Sequence, residues 1–362
     1  MGTIKRGFAN NILTTGKFDA TDLSGTIPST NVTNTTLSSI TSVPASVGDF
    51  VQFVAADPSP VSAGDVWYNS TTGALKAAVF QAAAWSSGGN VNTARTTLTG
   101  AGSQTANVIF GGQLTNSPYA DQSGTEEYNG STWTSVNNYP TAVGNLSGLG
   151  TQTSALAFGG YPNVTATNEY DGTNWTSGGA LGTGRELTTA NIGTQTAGLS
   201  AGGYIRGSET FTTAVEQYNG TSWTSAPSLN TGLYGRCGSG TQTAGLASGG
   251  QTGTTSNAVE EYNGSSWTTV NARPYSAGSA MGSGTQTAAL HYGGNPSTPL
   301  TTTASYDGTN WSSSPSMSVA KSMGGGCGAG TSGAALASNG SSSGATEEFT
   351  DASAVAQTIT TS

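Results

Sequence analysis

Charge is scarce in this chain. Only 8% of its 362 residues are Asp, Glu, Lys or Arg, and 10 of these are basic, leaving a net charge of −9. So few cations cannot form a stripe that displaces counterions from a phosphate backbone, and nucleic acid is not an expected partner. Histidine occurs once, at His291, and cysteine twice, at Cys237 and Cys327. That count excludes zinc sites built from Cys and His clusters. No Asp-x-Asp-x-Asp-Gly loop offers a calcium site, and no metal or other cofactor is expected. No long apolar run follows the opening Met1-Gly2-Thr3-Ile4-Lys5-Arg6-Gly7-Phe8, so neither a secretory signal nor insertion into a membrane is expected.

What the chain has instead is glycine, 54 residues of it, with abundant Thr, Ser and Asn around 7 Trp and 13 Tyr. Low charge and many aromatics argue against disorder. The order lies in a repeat. Gly pairs begin at Gly111, Gly159, Gly202, Gly249 and Gly293, with Asn339-Gly340 in the sixth place. They are followed by Tyr128, Tyr170, Tyr218, Tyr262, Tyr306 and Phe349. Trp133, Trp175, Trp223, Trp267 and Trp311 each stand five residues after their Tyr, at successive spacings of 42, 48, 44 and 44. Such a period fits the four-stranded blades of a propeller. Between each Tyr and its Trp comes Asn-Gly or Asp-Gly, as in Asn129-Gly130 and Asp171-Gly172; these dipeptides tolerate positive φ at both centres of a hairpin. The loop has either two or four residues, and both registers put Tyr and Trp on one face. Upstream stretches such as Thr241 to Gly250 are small and apolar and read as inner strands, where crowding leaves little room for side chains.

Trp85 precedes any complete repeat, five residues after Phe80, while the last repeat has Phe349 but Ala354 where its Trp should be. An open ring would leave unpaired strand edges. The Trp85 strand is therefore expected to complete a sixth blade built otherwise from residues near Lys321 to Thr350. The competing arrangement makes Val355 to Thr360 the outer strand and leaves Trp85 in a separate hairpin. Cys237 and Cys327 occupy one equivalent place in blades four and six; a disulfide needs Cα atoms within about 7 Å, so two free buried thiols are expected. His291 has no triad context and reads as a strand residue. Glu126, Glu127, Glu169, Glu216, Glu260, Glu261, Glu347 and Glu348 all sit one or two residues before the Tyr or Phe. Such a ring could bind cations, but its recurrence in blade after blade points instead to a solvated or hydrogen-bonded strand face.

The order of small strand, Gly-Gly, Tyr strand, Asn/Asp-Gly turn and Trp strand resembles the kelch repeat over roughly residues 75 to 350. The resemblance implies an all-β, six-bladed kelch-like β-propeller. The basic residue of that pattern is patchy: Arg95, Arg185 and Lys321 come ten residues after a Trp, whereas Val143, Leu233 and Ala277 hold the place elsewhere. Asp171-Gly172-Thr173-Asn174-Trp175 looks somewhat like the Asp box of six-bladed sialidases. It is one residue short, and Arg95, Arg185, Arg206, Arg236 and Arg273 do not group as a carboxylate-binding triad, so a sialidase-like glycosidase is a remote alternative.

Before the repeat, residues 1–46 suit an extended N-terminal docking arm in which Lys5, Arg6 and Phe8 are candidate contacts. Residues 47–79 form a small β-hairpin module with a turn near Thr72-Gly73; this stretch resembles a module common in bacteriophage tail fibres. The propeller takes residues 80–355, and 356–362 is a tail. The opening Thr3 to Phe8, followed by a kelch-like array with Gly-Thr-Gln-Thr repeats, is similar to virion structural proteins of marine phages, particularly cyanophages. That resemblance implies localisation in the virion and contact with other virion proteins through the arm, and leaves oligomerisation open. Loops between the second and third strands, and between one blade's last strand and the next blade's first, share one side and carry Tyr119, Tyr139, Tyr161, Tyr204, Tyr234 and Tyr275. Variable loops on a rigid scaffold are where binding concentrates, and these Tyr are the candidate contacts for a host-surface glycan or another virion protein. The expected function is thus non-enzymatic: a tail-fibre or adhesion component, with a capsid-decorating or tail-adaptor protein as the alternative.

Overall fold

The computed structural model describes residues 52–114, 120–187, 192–326, 328, 330–340 and 343–359. The arm residues Lys5, Arg6 and Phe8, together with Tyr119 and Cys327, lie outside the described residues. Every regular element among the described residues is a strand, and no helix is long and apolar enough to cross a membrane. The chain divides into two compact units, residues 1–82 with 352–362, and residues 83–351.

In the smaller unit, Val66–Asn69 and Ala74–Gln81 form an antiparallel hairpin with Asn69 opposite Ala74. Gln52–Val54 adds in parallel to the first of these strands, and Ser353–Thr358 pairs antiparallel with the second. Its polar hub is the exposed Asp57, which accepts hydrogen bonds from Trp67 Nε1 and Asn69 Nδ2 and pairs with Lys76 Nζ at 2.5 Å. The Lys76 bond, then those of Asn69 and Trp67, hold its carboxyl down at about 2.

The larger unit is a succession of antiparallel sheets, an all-β arrangement of the kind found in propellers. In the first, Thr99–Gly102, Asn107–Phe110, Thr125–Tyr128 and Trp133–Val136 are joined in order as an up-and-down meander. Four more sheets of the same order follow over residues 147–177, 193–226, 237–270 and 281–314. The sixth has Ala334–Ser338, Thr346–Thr350 and, from the other end of the unit's sequence, Ala84–Ser87, with Trp85 opposite Phe349. Gly325 bridges Ser338 on its inner side. A further short hairpin, Tyr204–Ile205 with Thr210–Phe211, is inserted between the second and third strands of the third sheet.

The hairpin before each Trp has a four-residue loop: Tyr128 pairs directly with Trp133, and the same holds through Tyr306 with Trp311. Only the glycine takes positive φ, 89° at Gly130. The Asn contributes differently, through its side chain, as Asn129 Oδ1 accepts the amides of Ser131 and Thr132. The small stretches upstream each open on a turn and continue as an inner strand, paired with a further strand before them. Cys237–Thr241 and Ala244–Ser248 are two paired strands, and the Thr-Gln-Thr segment between them is their turn. Small residues on the innermost strands reflect the closeness of neighbouring sheets: a Cβ on Gly148 would come within 2.7 Å of the Phe110 ring. The apolar core is divided among the joints between sheets, as where Phe110, Tyr139, Val143, Leu146, Ala155 and Tyr170 pack together.

Candidate functional site

The repeated polar residues are largely occupied in holding the sheets to one another. The residue just before each conserved-place Tyr faces the Tyr of the next sheet. Glu127 accepts the Tyr170 hydroxyl at 2.8 Å, Glu169 that of Tyr218 at 2.6 Å, Glu261 that of Tyr306 at 2.8 Å, and Glu348 that of Tyr128. Where Gln217 stands in place of Glu it donates to Tyr262 instead, and where Ser305 stands there the facing ring is Phe349, which has no hydroxyl. The Trp indoles follow a similar rule. Trp85, Trp133, Trp175 and Trp223 donate to Thr303, Thr346, Thr125 and Thr167 of the preceding sheet, at 3.1, 2.9, 3.3 and 2.8 Å. Val215 and Val259 hold that place in the third and fourth sheets, and Trp267 and Trp311 turn to the carbonyls of Pro227 and Asn271.

The Gln of each Gly-Thr-Gln-Thr turn is a third fastening. Gln152 Nε2 donates to the carbonyls of Asn107 and Tyr128, and Gln195, Gln242 and Gln286 repeat this on the sheets before them. Gln104 does the same on Ala335 and Phe349, joining the first sheet to the sixth. At the joint between the fifth and sixth sheets the turn carries Ser332 instead.

The carboxylates two residues before the Tyr are buried. Glu126, Glu216 and Glu260 pair with Arg95, Arg185 and Arg236 at 2.9, 2.8 and 2.7 Å and also accept backbone amides of the incoming connection, such as Asn92 and Asn230. Glu347 receives Ser318 and Val319, beside buried Lys321, whose ammonium donates to the Ala345 carbonyl. Burial draws the Lys321 amine down to about 8. The second and fifth sheets have Asn168 and Ala304 there. Tyr139 supplies the polar partner in the second, its hydroxyl accepting from Asn168 Nδ2 at 2.8 Å. Hence the patchy cation of the sequence: Arg236, three places later than the pattern, and Tyr139 do the work assigned to a residue ten after the Trp. No ring of open carboxylates results.

Two of the candidate tyrosines are not on a rim: Tyr139 is interior and Tyr275 is half-buried. Tyr139 is buried against Phe110 and Trp175, and burial pushes its hydroxyl up to about 12. Tyr275 lies over the Arg273 guanidinium, 4.6 Å from ring centre to cation, and its hydroxyl donates to the His291 carbonyl. Burial, only partly offset by Arg273, raises it likewise to about 12.

Three others come together. Tyr204, Tyr234 and Phe211 form a triangle of rings with centroids 5.4 to 5.7 Å apart. Arg206, on the inserted hairpin, lies between Tyr204 and Tyr161, 5.5 and 4.8 Å from their centres. Arg206 Nε donates to Glu186 at 2.9 Å; the Glu186 carboxylate is buried and also receives Asn145 Nδ2. Asn163 clamps the Arg206 backbone, accepting its amide at 2.8 Å and donating to its carbonyl at 2.6 Å. Tyr204 donates its hydroxyl to Glu209, which raises the phenol and lowers the carboxyl. Neither Arg206 nor Phe211 was singled out by the repeat, because both belong to the insertion. The signal was there in the lengthened Gly203 to Tyr218 interval, which carries the one Arg-Gly pair in any loop of the second-to-third-strand kind.

The chain matches no family model and has no significant match among curated proteins. His291 is fully buried, with Ser239 Oγ at 3.0 Å from Nε2 and Ser248 Oγ at 2.6 Å from Nδ1. Desolvation, then Arg273, hold it well below the ordinary histidine range. Both nitrogens are engaged by hydroxyls that are themselves buried, so this Ser-His contact offers substrate no approach. Cys237 is buried with its thiol raised to about 12 by desolvation, a state in which it is a poor nucleophile. No group of three or more His, Cys, Asp or Glu able to hold a metal occurs among the described residues.

On the same side as the tyrosine cluster, one position in every sheet has left-handed backbone: Thr97, Asn145, Leu187, Gly235, Ser279 and Met323, with φ from 51° to 62°. From Asn145 on, each amide donates to the carbonyl of the preceding member, at 2.6 to 3.0 Å. Thr97, Leu187, Ser279 and Met323 line a cavity of about 60 Å³. That is far below the several hundred Å³ of ordinary ligand pockets, so the aromatic cluster is the better candidate for contact with a partner.

Proposed function

We propose that residues 83–351 form a closed six-bladed kelch-like propeller, and that the protein is a non-enzymatic virion component of the tail-fibre or adhesion type. Closure is supported by the joint between the first and sixth sheets, which uses the same Gln104 clamp, Tyr128–Glu348 bond and Trp133–Thr346 bond as the joints within the series. An adhesive role rests on one observation above the others: repeated polar groups are spent on joints, whereas Tyr161 and Tyr234 of neighbouring loops gather around Tyr204 and Arg206 of an inserted hairpin. A rigid scaffold with one singular surface cluster is the organisation expected of a recognition module. The virion assignment rests on the resemblance of the opening segment and of the Gly-Thr-Gln-Thr array to phage structural proteins. In this reading Lys5, Arg6 and Phe8 attach the chain to other virion proteins.

The test is made on purified particles. Antibody labelling should place the protein at fibre tips, with a copy number on the scale of the fibres, and replacing Tyr161, Tyr204 and Tyr234 by Ala should abolish adsorption while particles still assemble. A copy number on the scale of capsid subunits would make it a decorating protein instead.

A further inference from the structure

We infer that Tyr161, Arg206 and Tyr204 form a subsite for one uncharged pyranose unit of a surface polysaccharide. This inference rests on the adhesion reading and names the chemistry of its ligand. Its basis is a coincidence of two singular residues. Unit 83–351 contains six basic side chains, of which Arg95, Arg185, Arg236, Arg273 and Lys321 are buried; Arg206 alone is at the surface, with 45% of its side chain exposed. Among the described residues of that unit, the one exposed large hydrophobic side chain is Tyr161, at 37%. These two residues touch, with the guanidinium over the ring at 4.8 Å. The Trp and Tyr of the repeat are engaged in joints.

The pair is also held in place. Arg206 is fixed from below by buried Glu186, laterally by the Tyr204 ring, and along its backbone by Asn163. Its two terminal nitrogens have no protein partner among the described residues and keep their fork of donors toward solvent. An aromatic face beside a fixed donor fork suits a sugar ring, whose C–H face stacks on Tyr161 while its hydroxyls meet the guanidinium. The local charge then decides between sugars. Glu186 and Glu209 bring two carboxylates against the one cation, so a uronate or other acidic sugar would add a third negative charge to a site already in excess. Glu209 offers instead an acceptor for hydroxyl protons. A neutral hexose uses both kinds of group.

A shallow one-sugar site binds weakly by itself and gains through the several copies that a fibre presents. The experiment uses the full chain. Methyl glucoside, methyl galactoside and methyl mannoside are titrated by ligand-detected NMR beside the matching methyl uronates, and an array of neutral and acidic oligosaccharides extends the set. At least one neutral sugar should bind, its uronate counterpart at least about tenfold more weakly. Tyr161→Ala and, separately, Arg206→Lys should weaken the neutral sugar by about tenfold, the scale of one lost stacking contact. Circular dichroism should show both variants folded at the titration temperature, since Tyr161 is exposed and Arg206→Lys keeps a cation beside Glu186. Equal binding of uronates, or full binding by both variants, would overturn the subsite while leaving adhesion standing. Particles that adsorb normally without the protein would instead overturn the adhesion reading. No binding to any sugar, with adsorption still dependent on the protein, would mean a non-glycan receptor and would also refute the subsite.

Discussion

At the scale of single residues, the tyrosines that join sheets carry a pH signature. Tyr128, Tyr139, Tyr218 and Tyr275 are each raised to about 12, burial being the largest cause, and Tyr170 and Tyr306 are raised as well. The unfolded chain releases these protons near pH 10, so the folded state holds more protons than the unfolded one between about 10 and 12, and stability must fall as pH rises through that window. Lys321 acts in the opposite sense between about 8 and 10.5 because the unfolded chain holds its proton there, but it is one group against six. The tyrosinate absorbance of these six should therefore appear together with the loss of β-sheet circular dichroism; all of the tyrosines ionising in a still folded protein would contradict it. At the acid end, His291 stays neutral in the fold while the unfolded chain binds a proton below about 6.5, so stability is lost as pH falls through that value. His291→Gln should flatten this part of the profile. Removing one side of a buried pair is a larger insult: Glu126→Ala leaves Arg95 charged and unpaired, a loss of about 3–5 kcal/mol by denaturant unfolding.

At the scale of the element, the same three fastenings recur, and the exceptions make predictions. Gln152, Gln195, Gln242, Gln286 and Gln104 each satisfy two carbonyls of the neighbouring sheet, and Ser332 is the gap in the series. Ser332→Gln should stabilise the chain by about 1 kcal/mol in denaturant unfolding, and Gln152→Ala should cost about 1–3 kcal/mol by stranding two acceptors. A neutral Ser332→Gln would mean that the joint between the fifth and sixth sheets differs from the others. These elements were legible in the sequence to an uneven degree. The Tyr, Asn/Asp-Gly and Trp spacing gave the outer hairpins because a turn dipeptide and its flanking aromatics are local in sequence. The turn of the inner hairpin is less legible than its strands: Thr-Gln-Thr has no turn-forming Gly or Pro, and its Gln satisfies a neighbouring sheet some 40 residues away in sequence. For the same reason the recurring carboxylates could be sorted into buried ion pairs and inter-sheet acceptors only once Glu126 and Glu127 were seen on opposite faces. Of the tyrosine rim, Tyr161, Tyr204 and Tyr234 gather, but Tyr139 and Tyr275 hydrogen-bond to Asn168 and to the His291 carbonyl, partners in strands farther along the chain.

At the scale of the whole larger unit, the proposed ring makes each sheet lean on the two beside it, so stability should be close to a sum of joint terms, and the sixth sheet is where the sum is most easily interrupted. Its outer strand, Ala84–Ser87, is held by pairing with Thr346–Thr350, by Trp85 against Tyr292 and Phe349 at 5.0 and 5.3 Å, and by the indole bond to Thr303. Without that strand, Thr346–Thr350 becomes an unpaired edge, and the joints on both sides of the sixth sheet lose a wall. A chain of residues 83–351 should therefore fold and melt in a single cooperative step, whereas residues 91–351 should melt at a markedly lower temperature and aggregate. Adding a synthetic peptide of residues 82–90 should restore the melting temperature of the shorter chain in a concentration-dependent way, because the missing element is one strand that docks by edge pairing. The same peptide with Trp85→Ala should fail, since it keeps the backbone ladder but loses the aromatic wedge and the Thr303 bond. If residues 91–351 melted like residues 83–351, the Trp85 strand would be an ornament on a structure that is closed without it, and edge pairing would not be what holds the sixth sheet.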